Sequence, residues 1–308
     1  MHSETARATT RLSVIGLGRM GLPIARHLDR AGYPISVYDR DPRARRRATE
    51  VGLTTDASAG AVAEGADVLL TVLPGASEFE DAMLGADQVV HRLRRGSCWL
   101  DLSSNDPRVA ERVAAISADG GVHSVAAPMV GGVEAAETAT LEFYVGGPAA
   151  ARNRVAQILE VLARPGGVKA AGETIGSGYS VKLLINLLWF GQVAAVSEAM
   201  LLGRRLGIPP ARFRDLLAGS AGDSSFAQRH LDRLLDGDYA ETFGLRECVD
   251  ELDVLTGLAA DRGSPFELSS VVARLHHEAL DRFGAVDGEM LVAKLLEERD
   301  GEPLNEHT

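Results

Sequence analysis

Leu12-Ser-Val-Ile-Gly-Leu-Gly-Arg-Met-Gly21 decides the fold. Leu12–Ile15 reads as a short buried strand. It runs directly into Gly16-Leu17-Gly18-Arg19-Met20-Gly21, and residues 22–31 then carry a helical pattern that stops at Gly32. Strand, GxGxxG and helix in this order form a dinucleotide-binding turn. The first glycine permits the tight turn, the second lets the backbone approach a pyrophosphate, and the third lets helix and strand pack closely. The helix N-terminus then faces the phosphates. Residues 16–21 are therefore candidate cofactor contacts.

Working outward, Ile35–Tyr38 is the second strand, followed by Asp39-Arg40-Asp41-Pro42. An acid at Asp39 can accept hydrogen bonds from the adenosine ribose, which favours NAD. Arg40 can instead meet a 2′-phosphate or stack on adenine, which suits NADP; Asp41 would repel that phosphate. The balance leans to NAD, with NADP open. Further strands are expected over 67–73, 97–102, 122–127, 142–145 and 167–170, alternating with helices. Alternation of this kind means a doubly wound, mostly parallel sheet. Ligands sit outside the carboxyl ends of its strands, where Leu73-Pro74, Ser104 and Pro128-Met129-Val130-Gly131-Gly132 fall.

Residues 176–206 read GSGYSVKLLINLLWFGQVAAVSEAMLLGRRL. The stretch has no proline and predicts one helix over about 178–206, roughly 45 Å long at 1.5 Å per residue. Being apolar nearly all round, it is expected to be buried on several sides. Lys182, Asn186, Gln192 and Glu198 interrupt the run and argue against a membrane span. Lys182 and Asn186 lie four apart and share a face. Of 32 basic residues only Lys169, Lys182 and Lys294 are lysines. A lysine inside an apolar helix therefore suggests an amine that must give up its proton, because burial lowers a lysine pKa. The alternative is a lysine snorkelling to the surface.

The chain has 308 residues, 45% hydrophobic and 24% charged, enough for two domains. A net charge of −11 argues against nucleic acid or an anionic membrane surface as partner. Cys98 and Cys248 form no metal or redox pattern and suit a reducing cytoplasm. No metal ligand set is visible; His276-His277 reads as a satisfied or exposed pair. Residues 1–10 are expected to be a disordered polar extension, 11–175 a dinucleotide-binding domain and 176–308 an all-α domain. In the latter, further helices are expected over 211–217, 225–235, 245–261, 269–283 and 289–298.

GLGRMG, DLSSNDP, APMVGG with TLEFYVGG after it, and GSGYSVKLLIN stand in the order found in the β-hydroxyacid dehydrogenases, and over residues 11–296 the chain resembles that family. The family includes 3-hydroxyisobutyrate and 6-phosphogluconate dehydrogenases, and the imine reductases are close relatives. The resemblance implies an N-terminal Rossmann domain, an all-α domain joined to it by the long helix, and a homodimer or tetramer built through the helical domain. It puts the catalytic lysine on Lys182 and the substrate-orienting asparagine on Asn186. It puts cofactor binding on residues 16–21, Asp39-Arg40, Leu73-Pro74 and Ser104. Imine reductases usually lack that lysine, so Lys182 favours alcohol and carbonyl chemistry.

Three positions depart from the family pattern. Where it has a serine that holds the substrate carboxylate, this chain has Val130, although the amides of Gly131 and Gly132 remain. Where it has a lysine and an aspartate on a later helix, this chain has Asp250 and Glu251. Losing a hydroxyl and turning a cation into an anion both weaken carboxylate binding. A less anionic or amine-bearing substrate is expected, unless Arg246 or another arginine covers the carboxylate. The rival readings are an imine reductase acting on cyclic imines and a cofactor-binding module without turnover.

Overall fold

The computed structural model describes residues 7–240 and 243–305. Residues 1–6 of the expected N-terminal extension lie outside them; Arg7 to Thr9 make a helical turn. The chain divides into two compact units, residues 1–182 and 183–308.

The first unit is built on a nine-stranded sheet: β1 Leu12–Ile15, β2 Ile35–Tyr38, β3 Thr54–Thr55, β4 Val68–Thr71, β5 Cys98–Asp101, β6 His123–Ala126, β7 Met129–Val130, β8 Leu141–Gly146 and β9 Ala163–Gly172. The order is β3-β2-β1-β4-β5-β6-β8-β7, with β9 paired to β8. Pairing is parallel from β3 through β6. β8 runs antiparallel to β6 and β7 and parallel to β9. This is the mostly parallel, doubly wound sheet expected, with its direction reversed only near one edge.

The central strands are continuous apolar runs because helices cover both faces. Every residue of β1, β4 and β5 is buried. Successive side chains alternate between faces. Leu70 and Leu100 join Ile24, Leu28, Val155 and Leu159 in one core, while Leu69 and Trp99 join Phe79 and Val113 in the other. Trp99 stacks on Phe79 with ring centroids 5.3 Å apart. Full burial of each such ring is worth about 2–3 kcal/mol, and together they pin β5 at the centre of the sheet.

The long helix spans Ile175–Arg205, beginning three residues earlier than its glycines suggest. Gly178 does not break it. A Cβ there would come within 2.8 Å of the Tyr144 carbonyl oxygen and 3.1 Å of that of Ala126, so a bare Cα lets the first turns press onto strand ends. By length and composition this helix could cross a membrane. Its side chains instead enter protein cores: Tyr179, Leu183, Phe190, Val193 and Met200 are buried. Burial is nonetheless one-sided beyond Leu183, where Leu188 and Leu202 remain 67% and 61% exposed.

The second unit adds helices Pro210–Leu217, Ser225–Leu235, Leu245–Arg262, Glu267–Phe283 and Leu291–Asp300. Ser224 caps its helix by accepting the Ala227 N–H at 3.1 Å, and Gly263 ends the next at φ +61°. Val193, Met200, Phe226, Leu234 and Leu275 form its main core. A smaller cluster gathers Phe190, Cys248, Leu252 and Val272.

Candidate active site

The expected cofactor residues meet at the carboxyl ends of β1, β2, β4 and β5. Gly16 turns at φ +98°, and a Cβ on it would collide with the Val72 carbonyl oxygen. A Cβ on Gly21 would strike the carbonyl oxygen of Gly16, so the third glycine lets the helix Gly21–Arg30 start against the turn. Gly18 differs: nothing lies within 4 Å of its Cβ position, and it is exposed. The loop therefore has two glycines packed inward and one facing open space, the arrangement a pyrophosphate needs at a helix N-terminus. Arg19 and Met20 complete the rim, while the Leu17 side chain is fully buried in the core.

Asp39 has a part in shaping this loop. Its Oδ2 accepts the Leu17 N–H at 2.6 Å and its Oδ1 accepts the Asp41 N–H at 2.8 Å. One carboxylate thus joins the glycine turn to the end of β2. Arg40 is exposed beside it, 4.0 Å from Glu78. Arg45 reaches back to the Asp39 carbonyl at 2.5 Å and lies over the Tyr38 ring at 5.4 Å. The end of β2 is therefore held from several sides, and it carries an acid bound to two backbone amides beside an exposed guanidinium paired with Glu78.

The next two strand ends are stitched to one another. The Val72 N–H donates to the Ile15 carbonyl and the Leu102 N–H to that of Thr71, each at 2.9 Å. Leu73 donates its N–H to Ser103 Oγ at 2.9 Å, which holds Leu73-Pro74 beside the loop that carries Ser104.

Lys182 closes the first unit. It is 4% exposed, and its Nζ donates to Ser104 Oγ at 2.7 Å. It does not snorkel: the amine is held at the mouth of β5, among the cofactor-loop residues. Four residues on along the helix, Asn186 Nδ2 donates to Glu251 Oε2 at 2.7 Å, and Glu251 is 5% exposed. Asp250, beside it on Leu245–Arg262, is exposed. Val130 sits on β7 opposite Glu142, half-buried, with Gly131 and Gly132 exposed after it. A valine side chain offers nothing polar there.

Asp101 and Tyr179 are missing from the residues singled out in the sequence. Asp101 is fully buried at the end of β5 and accepts from Thr71 Oγ1 and Ser103 Oγ, each at 2.7 Å, and from Tyr179 OH at 2.6 Å. Burial, with the Asp101 carboxylate alongside, pushes the Tyr179 hydroxyl well above the ordinary phenol range, so it stays a donor. The available signal was an acid inside an otherwise apolar strand run. Such an acid is retained only with hydrogen-bond partners.

Fold and loop define a dinucleotide-binding protein. Residues 11–176 match the family described as the NAD binding domain of 6-phosphogluconate dehydrogenase. Residues 176–296 match that described as NAD-binding of NADP-dependent 3-hydroxyisobutyrate dehydrogenase. Over 281 residues the chain is 31% identical to the mitochondrial 3-hydroxyisobutyrate dehydrogenase of Homo sapiens, an overlap of 89% of this chain and 83% of that one. The structure of Mycobacterium tuberculosis 3-hydroxyisobutyrate dehydrogenase with L-serine superposes with a TM-score of 0.85 at 25% identity, covering 93% of this chain and 99% of that one. An imine reductase from Myxococcus stipitatus superposes at 0.64 with 19% identity over 94% and 99%, a likeness of fold alone. The chain belongs to the β-hydroxyacid dehydrogenase family and is an NAD(P)-dependent enzyme acting on CH–OH groups.

Proposed function

We propose that Lys182 is the proton-transferring group of this dehydrogenase and that its substrate is less anionic than an ordinary 3-hydroxy acid or carries an amine. The nicotinamide supplies hydride transfer when bound. The chain supplies position and the proton. Residues 16–21, Asp39-Arg40, Leu73-Pro74 and Ser104 would hold the dinucleotide. Lys182 takes the hydroxyl proton as the alcohol is oxidised and returns it on reduction, a role that suits an amine and not a guanidinium. Asn186 orients the reacting oxygen, its own amide fixed by Glu251. The observation that carries this reading is the buried Lys182 amine on Ser104, among the strand-end loops.

The substrate reading rests on Val130 and Asp250, which remove a hydroxyl and add a negative charge where the family recognises a carboxylate. L-Serine, present with the M. tuberculosis relative, is a β-hydroxy compound with an amine and belongs in any test. The panel is 3-hydroxyisobutyrate, D-glycerate, L-serine, simple amino alcohols and cyclic imines, each with NAD and NADP. Amine-bearing or uncharged alcohols are expected to exceed 3-hydroxyisobutyrate in kcat/KM by about tenfold or more, equivalent to about 1.4 kcal/mol. A high kcat/KM on 3-hydroxyisobutyrate or D-glycerate would overturn the substrate assignment. Turnover restricted to imines would favour the imine reductase reading that the shared fold allows. Asp39 leads us to expect the higher affinity for NAD.

The second unit supports a homodimer or tetramer. Leu188, Leu202 and Leu268 are 67%, 61% and 79% exposed, apolar side chains that a second copy could cover. A second copy is the proposed cover. Sedimentation should give at least twice the chain mass, and Leu188→Glu with Leu202→Glu should shift it toward monomer; a monomeric wild type would sink the idea. Both cysteines are buried and neither is in a disulfide among the described residues, which supports a reducing cytoplasm as the proposed working compartment.

A further inference from the structure

One carboxylate ties together the two chain segments that present the Lys182–Ser104 pair. On the loop side, Asp101 Oδ1 accepts both the hydroxyl of Ser103 at 2.7 Å and its backbone N–H at 3.2 Å, one residue before Ser104. On the helix side, Asp101 Oδ2 accepts the hydroxyl of Tyr179 at 2.6 Å, three residues before Lys182. Asn105 Nδ2 also reaches Oδ2, at 3.4 Å. Tyr179 and Lys182 are thus neighbours one helical turn apart, about 4.5 Å along the axis. Asp101 and Tyr179 are fully buried, and Ser103 and Asn105 nearly so.

A purely structural contact does not need this chemistry. Apolar side chains of the same volume would pack this corner and would spare the chain a buried carboxylate. Dispersion, however, tolerates sliding, whereas a short hydrogen bond to a fixed carboxylate is directional. Tyr179 is also seated on its other side, because Gly178 lies against the Tyr144 and Ala126 carbonyls. The helix turn that precedes Lys182 is therefore fixed by backbone contact and by one polar contact.

We propose that Asp101 and Tyr179 are positioning residues whose buried hydrogen bond sets the turn bearing Lys182 against the loop bearing Ser104, and so fixes where the reacting amine sits. The inference rests on Lys182 carrying the proton in turnover. A misplacement of about 1 Å is enough to cost about 100-fold in rate.

The test is Tyr179→Phe, which removes one hydroxyl and keeps the ring. A matched control is Tyr239→Phe in the second unit, where Tyr239 OH donates to the buried Glu297 at 2.5 Å, on elements that carry neither Lys182 nor Ser104. Three readouts apply: kcat and its pH profile on the fastest substrate of the panel above, Tm, and reductive methylation of each lysine followed by mass spectrometry. Only Lys169, Lys182 and Lys294 need resolving. Tyr179→Phe is expected to lower kcat about 10- to 100-fold and to move the pH profile by at least half a unit. Lys182 should methylate several-fold faster, with Lys169 and Lys294 unchanged. Tyr239→Phe should lower Tm but leave kcat, profile and Lys182 labelling as in wild type. If Tyr179→Phe does not fold, Ser103→Ala releases the loop side of the same clamp and is expected to give the same three changes. Wild-type kcat, pH profile and Lys182 labelling in a folded Tyr179→Phe or Ser103→Ala protein would overturn the proposal. Failure of the underlying reading looks different: Lys182→Ala would then turn over normally, whatever Tyr179→Phe does.

Discussion

Replacing Lys182 by alanine is expected to lower kcat by about 10²–10⁴-fold, the usual worth of a positioned general acid–base. The dinucleotide dissociation constant should stay within about twofold. The glycine turn that would hold the pyrophosphate is built by Gly16, Gly21 and the Asp39–Leu17 hydrogen bond, none of which uses the amine; among the residues that would hold the dinucleotide, Ser104 is bonded to the amine. Lys182→Arg separates charge from proton transfer. Arginine keeps a cation and can still donate to Ser104, yet it does not deprotonate in a protein. If the amine shuttles a proton, arginine should be nearly as poor as alanine. If its charge alone matters, arginine should recover most of the rate. Full turnover by Lys182→Ala on the same substrate would remove the catalytic assignment altogether, and cofactor titration would then decide whether the chain only binds the dinucleotide.

Much of this architecture could be read before any coordinates. β1, β2 and the helix Ser225–Leu235 fall where expected, because short apolar-rich runs stop at Gly16 and Asp39 and a clear 3.6-residue period starts at the Ser224 cap. β3 and β7 did not announce themselves: two residues are too few to show a period, and pairing to β2 and β8 creates them. The long helix was legible as a helix but not in its burial. With apolar residues on every side, its pattern does not say which leucines face protein, and Leu188 and Leu202 turn out exposed. The site divides the same way. The glycine turn and Lys182 stand out by residue type. Asp101 and Tyr179 do not, since their significance lies in a pairing across 78 positions. Asp39 stands out in the sequence for a local reason, an acid just after an apolar strand, but its hold on the Leu17 amide is a three-dimensional fact.

The second unit should lose about 2 kcal/mol of stability between pH 7 and pH 5 through one histidine. His276 is fully buried. Its Nδ1 lies 2.9 Å from the Val272 carbonyl oxygen, its ring packs 5.1 Å from that of Phe190, and its Nε2 has no hydrogen-bond partner among the described residues. Burial, reinforced only weakly by neighbouring His277 and opposed by the Val272 bond, lowers its pKa from 6.5 to about 4. A depressed histidine is neutral when folded, while the unfolded chain takes up a proton below about 6.5. The contribution is therefore complete above pH 6.5 and is lost as pH falls from there through about 4, where it amounts to roughly 3 kcal/mol in all. His230, whose pKa is also lowered by burial, acts in the same direction. Trp189 packs edge-on against Phe190 at 5.7 Å and so reports this cluster by fluorescence. Urea unfolding followed at Trp189 should show the midpoint falling from pH 7 to pH 5 in wild type and falling clearly less in His276→Leu, which has nothing to titrate. Parallel curves for the two proteins would mean that the ring is solvated or partnered when folded, and that acid acts on this unit through its carboxylates instead.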